Sequence, residues 1–217
     1  MSNIDQYREI AELNPLCQVL LNKALEEIKA AGINPLVVET YRSQNRQNYL
    51  YCQGRTINQV TLKGITTSFA RAYSNPKSRQ ITWTLNSIHT MRNAVDLVPQ
   101  RKGKAIWNSN DNETKKIISI MTRYGFEAGA NWSTSPDSPH FQIKGVSKTA
   151  KSYSLTNTNS FITKMIQKAL NDKINAKLKV DGKWGTNTTK AVNKFRKLQG
   201  WKEDGKVGVE TLKKLLA

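Results

Sequence analysis

The stretch Thr84-Leu85-Asn86-Ser87-Ile88-His89-Thr90-Met91-Arg92-Asn93-Ala94-Val95-Asp96-Leu97 holds one of only two histidines in a chain of 217 residues. Ala94 to Val98 is a β-prone run stopped by Pro99. A strand–turn–strand path could bring His89 and Asp96 to one point. The second histidine lies in Asp137-Ser138-Pro139-His140-Phe141-Gln142, again strand-like at its end. Zinc takes neutral imidazole nitrogen and carboxylate oxygen, and a catalytic zinc keeps a fourth position for water. His89, Asp96 and His140 are therefore candidate ligands, and Asp137, three residues before His140, is a candidate base. An isolated histidine is more often a packed or surface residue than a ligand, so spacing leaves both readings open.

Outward from this stretch, helices and strands are mixed without a regular βαβ alternation, which predicts an α+β domain. Asn14-Pro15 opens a helix, with Asn as N-cap and Pro at the first helical position. Cys17, Leu20, Leu21, Ala24 and Ile28 recur on one face, and Gly32 suits the C′ position. Leu36 to Tyr41 reads as a strand, and Ser43 as the cap of a second helix ending at Gly54. Residues 55–80 are polar and read as a long loop or a small insertion near the site, and Ile81 to Leu85 as β-prone. Asn112 to Tyr124 reads as a helix closed by Gly125. Phe126-Glu127-Ala128 and His140 to Ile143 are the last strand candidates.

Residues 147–160 are rich in Ser, Thr, Asn and Lys, the composition of a linker. Residues 161–217 then turn purely helical, with apolar faces at Phe161–Leu170, Ala191–Leu198 and Leu212–Leu216, the pattern of a small all-α three-helix domain. This part contains an internal repeat: Asp181-Gly182-Lys183-Trp184-Gly185 recurs as Asp204-Gly205-Lys206-Val207-Gly208, each copy preceding a helix. The expected division is a domain over 1–146, a linker over 147–160 and a domain over 161–217.

The net charge of +18 is concentrated in the tail, where residues 151–217 carry 15 basic against 5 acidic side chains. Such a balance favours a polyanionic partner: nucleic acid, an anionic membrane surface or an anionic cell wall. No nucleic-acid reader motif accompanies it, so nucleic acid is not expected as partner. No run of eighteen apolar residues is present, which excludes membrane insertion through a helix. Met1 to Gln6 lacks a basic start followed by an apolar stretch, so no Sec-type signal peptide is expected. Cys17 and Cys52 have no His or Cys neighbour and read as buried free thiols, with pairing open.

The segments around both histidines resemble the M15 metallopeptidases. Ser87-Ile88-His89 through Ala94-Val95-Asp96 is similar to the family's Ser-x-His-x-x-Gly-x-Ala-x-Asp signature, and Trp132 with Asp137-Ser138-Pro139-His140 is similar to its second. Tyr41-Arg42-Ser43 and Gln47 resemble the segment carrying the substrate-side arginine. The resemblance implies one Zn2+ on His89, Asp96 and His140, with Asp137 as general base. It implies Arg42 as stabiliser of an oxyanion or substrate carboxylate, and Ser87 and Gln47 as substrate contacts. It also implies a small antiparallel sheet flanked by helices. Arg92 stands where the family has Gly, a residue that suggests a turn needing positive φ or close backbone approach; an arginine there is expected either to alter the loop or to add a contact to an anionic substrate.

The tail resembles the three-helix type 1 peptidoglycan-binding domain through Val180-Asp181-Gly182, Trp184-Gly185, Ala191-Val192, Phe195 and Gln199-Gly200, with Trp184 a candidate for stacking on sugar. Together these resemblances imply a phage-type endolysin. The expected reaction is hydrolysis of the L-Ala–D-Glu bond of peptidoglycan, with D-Ala-D-Ala carboxypeptidase or non-catalytic wall binding as alternatives. The implied protein is a monomer that waits in the host cytoplasm until lysis and then acts on the cell wall.

Overall fold

The computed structural model describes residues 3–217. Met1 and Ser2, which open the stretch read for a signal segment, lie outside the described residues. In order, the elements are α1 (Pro15–Ala30), β1 (Pro35–Glu39), α2 (Gln44–Cys52), α3 (Ile57–Thr61), α4 (Thr67–Tyr73), β2 (Ala94–Arg101), β3 (Lys104–Ala105), α5 (Asn112–Arg123), β4 (Glu127–Ala128), β5 (His140–Gln142), β6 (Ser152–Tyr153), α6 (Ser160–Ile174), α7 (Thr186–Leu198), β7 (Val207–Gly208) and α8 (Val209–Leu216).

Local chemistry sets the helix boundaries. Asn14 caps α1 by accepting from Leu16 N at 2.9 Å, ahead of Pro15. Ser43 caps α2 through Arg46 N at 3.0 Å, and Asp111 caps α5 through the N–H groups of Glu113 and Thr114. In the tail, Asp181 and Asp204 each accept from the N–H two residues on, at 2.9 and 3.0 Å, so the sequence repeat is also a structural one.

The sheet is antiparallel in the order β1-β2-β5-β4, with β3 hairpinned onto the far end of β2. Strand alternation divides it into two faces. Val95, Leu97, Ala128 and Phe141 point into the core against α1 and α5. Register aligns Glu39 with Asp96, Asp96 with His140, and Glu127 with Gln142, on the opposite face. The pairing of β1 with β2 is irregular between Val37 and Glu39. Val38 is the extra residue, and the bulge turns Glu39 toward Asp96.

One region takes the insertion form, and two others differ from what composition predicts. Residues 55–80 contain α3 and α4, which with Tyr51 and Cys52 form a small separate core around Val60, Ile65 and Ala70. Ile81 to Leu85 pairs with no strand; side chains tether it instead. Residues 147–160 are ordered: β6 pairs with β7, Tyr153 is buried, and Asn14 donates to the carbonyls of Lys148 and Ala150. The hydrophobic core therefore runs without a break from α1 and α5 through Tyr153 and Ile162 to Leu212 and Leu215, and α1 packs on α8. Cys17 and Cys52 are both buried and free, and burial pushes the Cys17 thiol far up.

Candidate metal centre

His89 sits in the 3-10 turn Ile88–Met91, capped by Ser87, whose hydroxyl accepts from His89 N at 3.3 Å. The turn ends on Arg92 in the left-handed region, φ 60°. The chain thus reverses directly into β2, which delivers Asp96. Arg92 does not turn toward the site. Its guanidinium pairs with Glu12 at 2.7 Å and lies 4.0 Å over the Tyr41 ring, contacts that hold a conformation disfavoured for a side-chain-bearing residue. The position does need positive φ, as a glycine there would suggest.

The three candidate ligand atoms form a nearly equilateral triangle. His89 Nε2 is 3.2 Å from Asp96 Oδ1 and 3.2 Å from His140 Nδ1, and His140 Nδ1 is 3.1 Å from Asp96 Oδ1. Bonds of about 2.0–2.1 Å at tetrahedral angles separate ligand atoms by roughly 3.3 Å, close to these spacings. The opposite nitrogens are committed. His89 Nδ1 lies 2.6 Å from the Thr40 carbonyl and His140 Nε2 lies 3.2 Å from Gln142 Oε1. With one proton per ring, each of those nitrogens holds it toward its acceptor, so the nitrogens facing one another present lone pairs. Two lone pairs and a carboxylate oxygen aimed at one point fit a cation, and this group is suited to hold a metal ion.

Around the triangle, burial alone would raise the Asp96 carboxyl. In their protonated form the facing imidazoles of His89 and His140 outweigh burial and hold it well below the usual carboxylate range. Asp137 stands on an exposed loop beside the triangle. Partial burial of its carboxyl group pushes it up, and the negative charge of Asp96 adds to this against the nearby imidazoles and Arg42. A carboxylate so raised is a better proton acceptor. Gly129 lies directly beneath this loop; a Cβ there would come 2.5 Å from the Asp137 carbonyl and 3.2 Å from His140 Cβ.

Arg42 is buried, and its Nη2 approaches Asp96 Oδ2 at 3.6 Å. Glu39 holds the guanidinium on one side, through Nε at 3.0 Å and through Nη2, while Gln47 Oε1 accepts from Nη1 at 2.8 Å.

Residues 80–143 match the family model for M15 peptidases described as D-alanyl-D-alanine carboxypeptidase, and residues 163–215 match that of a peptidoglycan binding domain. The two matches fall on separate parts of the chain, one around the triangle and one in the tail. Peptidoglycan L-alanyl-D-glutamate endopeptidase CwlK of Bacillus subtilis is 28% identical over 145 residues, covering 61% of this chain and 74% of the relative. The L-alanyl-D-glutamate peptidase of Listeria phage A118 is 28% identical over 171 residues, covering 70% of this chain and 51% of the relative. The crystal structure of Serratia marcescens L-Ala D-Glu endopeptidase ChiX superposes with a TM-score of 0.41 at 20% identity, covering 64% of this chain and 90% of that one.

The segment that matches the M15 model contains His89, Asp96, Asp137 and His140, and Arg42 reaches the same point from outside it. Gln47 and Trp184 are placed otherwise than as substrate contacts. Gln47 is fully buried, donating to the Thr84 carbonyl at 2.6 Å and to Thr82 Oγ1 at 3.3 Å, and so braces Arg42 and the segment leading to Ser87. Trp184 is buried in the tail core with its N–H on Thr189 Oγ1 at 3.0 Å. Ser87 serves as the turn cap and is half-buried. The residues not singled out from sequence are Glu39, Thr40, Glu127, Gly129 and Gln142. Of these only Gln142 carried a local signal, two residues after His140 and so on the same strand face.

Proposed function

We propose that the protein is a zinc-dependent peptidoglycan endopeptidase that cuts the L-Ala–D-Glu bond of the stem peptide and is held on the wall by its tail. The observation that carries this reading is the triangle of acceptor-backed imidazoles and carboxylate within an M15 segment joined to a peptidoglycan-binding domain. Two relatives named for L-alanyl-D-glutamate cleavage support the choice of bond. The phage source of one supports a role as a lysis enzyme, made in the host cytoplasm and acting on the wall; in this reading the enzyme acts as a monomer.

His89, Asp96 and His140 would hold the zinc ion, which supplies Lewis acidity toward the scissile carbonyl when bound. Asp137 takes the proton of the attacking water and returns it to the leaving amine of D-Glu. Arg42, held by Glu39 and Gln47, presents fixed positive charge for the developing oxyanion or a substrate carboxylate. Ser87 contributes by fixing the turn that aims His89. In the tail, a groove of about 580 Å³ is lined by Lys177, Lys179, Lys183, Lys190 and Lys194, a surface suited to an anionic wall.

Digestion of purified sacculi followed by muropeptide mass spectrometry tests the assignment. New C-terminal L-Ala on muramyl fragments, paired with peptides beginning at D-Glu, is the expected result. The description of the matching peptidase family favours a second reading, removal of terminal D-Ala; loss of D-Ala alone would establish that reading instead. Asp137→Asn should lower kcat by roughly 10²–10⁴-fold while zinc content stays at one ion per chain.

A further inference from the structure

We infer that Glu127 and Gln142 are positioning residues that decide which nitrogen of His140 faces the metal centre. The inference rests on the reading of His140 as a ligand and concerns Gln142, which contacts its far nitrogen, and Glu127, one side chain beyond.

Strand register builds the arrangement. Glu127 of β4 is paired with Gln142 of β5, and Gln142 lies two residues from His140 on the same strand face. Glu127 Oε1 accepts from the indole N–H of Trp132 at 2.9 Å, and Glu127 Oε2 accepts from Gln142 Nε2 at 2.9 Å. Both carboxylate oxygens therefore face donors. A carboxylate in this state has no hydrogen to give, so the Gln142 amide must turn its NH2 toward Glu127 and its oxygen away. That oxygen lies 3.2 Å from His140 Nε2. An amide oxygen accepts only, so the ring proton sits on Nε2, and the lone pair is left on Nδ1, at the triangle with His89 and Asp96.

Each step has one allowed direction. Were the Gln142 amide reversed, its NH2 would face His140 Nε2 and draw the lone pair there. The Nδ1 hydrogen would then point into the triangle and block ligation. Trp132 reinforces the same outcome, since indole nitrogen is a donor only and its ring lies 5.2 Å from the His140 ring. His89 needs no such chain, because a backbone carbonyl, that of Thr40, already fixes its tautomer. The two ligand histidines are thus oriented by different means, one by backbone and one by a replaceable side-chain relay.

Glu127→Gln keeps the shape but gives the site an NH2 that can face Gln142 and reverse its amide. The expected effect is a 10–100-fold weaker zinc affinity, read by competition with a chromophoric chelator on the full chain. In the metal-free protein at alkaline pH, side-chain ¹⁵N spectra should show His140 moving from the Nε2–H toward the Nδ1–H form, with His89 unchanged; with two histidines in the chain both signals are resolvable. Glu127→Asp should recover part of the affinity by restoring an acceptor-only group. Glu127→Gln with parental zinc affinity and an unchanged His140 spectrum would overturn the relay alone. A parent chain that binds no zinc would overturn the metal-centre reading and the relay with it. Equal loss in Glu127→Gln and Glu127→Asp without a tautomer change would mark Glu127 as merely structural and also reject the inference.

Discussion

His89 Nε2 and His140 Nδ1 face each other at 3.2 Å, and the other nitrogen of each ring rests on an oxygen acceptor. Two neutral rings so arranged repel through their lone pairs, with Asp96 Oδ1 as a third negative neighbour. Zinc should therefore stabilise the fold. With free zinc at 100 times its Kd the gain is about 2.7 kcal/mol, visible by calorimetry as a rise in Tm that a chelator reverses. Asp96→Asn should lose most of that rise. A parent Tm indifferent to zinc and chelator alike would count against the centre.

Gly129→Ala should damage the site although no reacting group is replaced. The added methyl meets the Asp137 carbonyl, which is backbone and cannot swing aside. We expect a fall in activity of more than tenfold and destabilisation of about 1–3 kcal/mol, measured by sacculus turbidity and urea melts. Activity equal to the parent would show that the loop carrying Asp137 does not need its present path.

Arg92 allows the backbone and side-chain contributions to be separated. Arg92→Ala and Arg92→Gly both remove the Glu12 pair and the Tyr41 stacking. Only Gly relieves the left-handed backbone, so it should be the more stable of the two by about 1 kcal/mol. Urea midpoints of the two variants compared side by side give the answer; Ala equal to or above Gly would contradict the backbone assignment.

The tail and the part that carries the triangle should unfold together. Tyr153 is fully buried in the core they share. Tyr153→Ala should cost about 3–5 kcal/mol and lower the single transition of the full chain. Two separated calorimetric transitions in the parent would contradict a common core.

Acid should loosen the start of α5. The guanidinium of Arg101, foremost, holds the Asp111 carboxyl below its ordinary value, and the N–H groups of Glu113 and Thr114 assist against desolvation. A carboxyl depressed on folding contributes stability above its unfolded value, near pH 4, and loses it as pH falls through the folded value. Asp111→Asn should flatten the acid limb of the stability curve below pH ~4. An acid limb identical to the parent's would contradict this.

Much of this protein is determined by short-range sequence. Asn14-Pro15, Ser43 and Asp111 mark helix starts because capping is a contact within three residues. The apolar periodicity of α1, α5 and the tail helices, and the repeated Asp-Gly-Lys turn, are equally local. The residue types at His89, Asp96, Asp137 and His140 offered candidate ligands and a base, while leaving open that the histidines are merely packed. What tertiary structure alone decided is pairing and register. A one-residue bulge in β1 turns Glu39 toward Asp96 and so places Arg42. The meeting of β4 with β5 sets Glu127 on Gln142. Polar composition reads 147–160 as a tether, yet its buried Tyr153 and a strand contributed from more than fifty residues away bind it into the core. Such contacts depend on residues distant in the chain, and side-chain hydrogen bonds formed across them leave no periodic trace in the sequence.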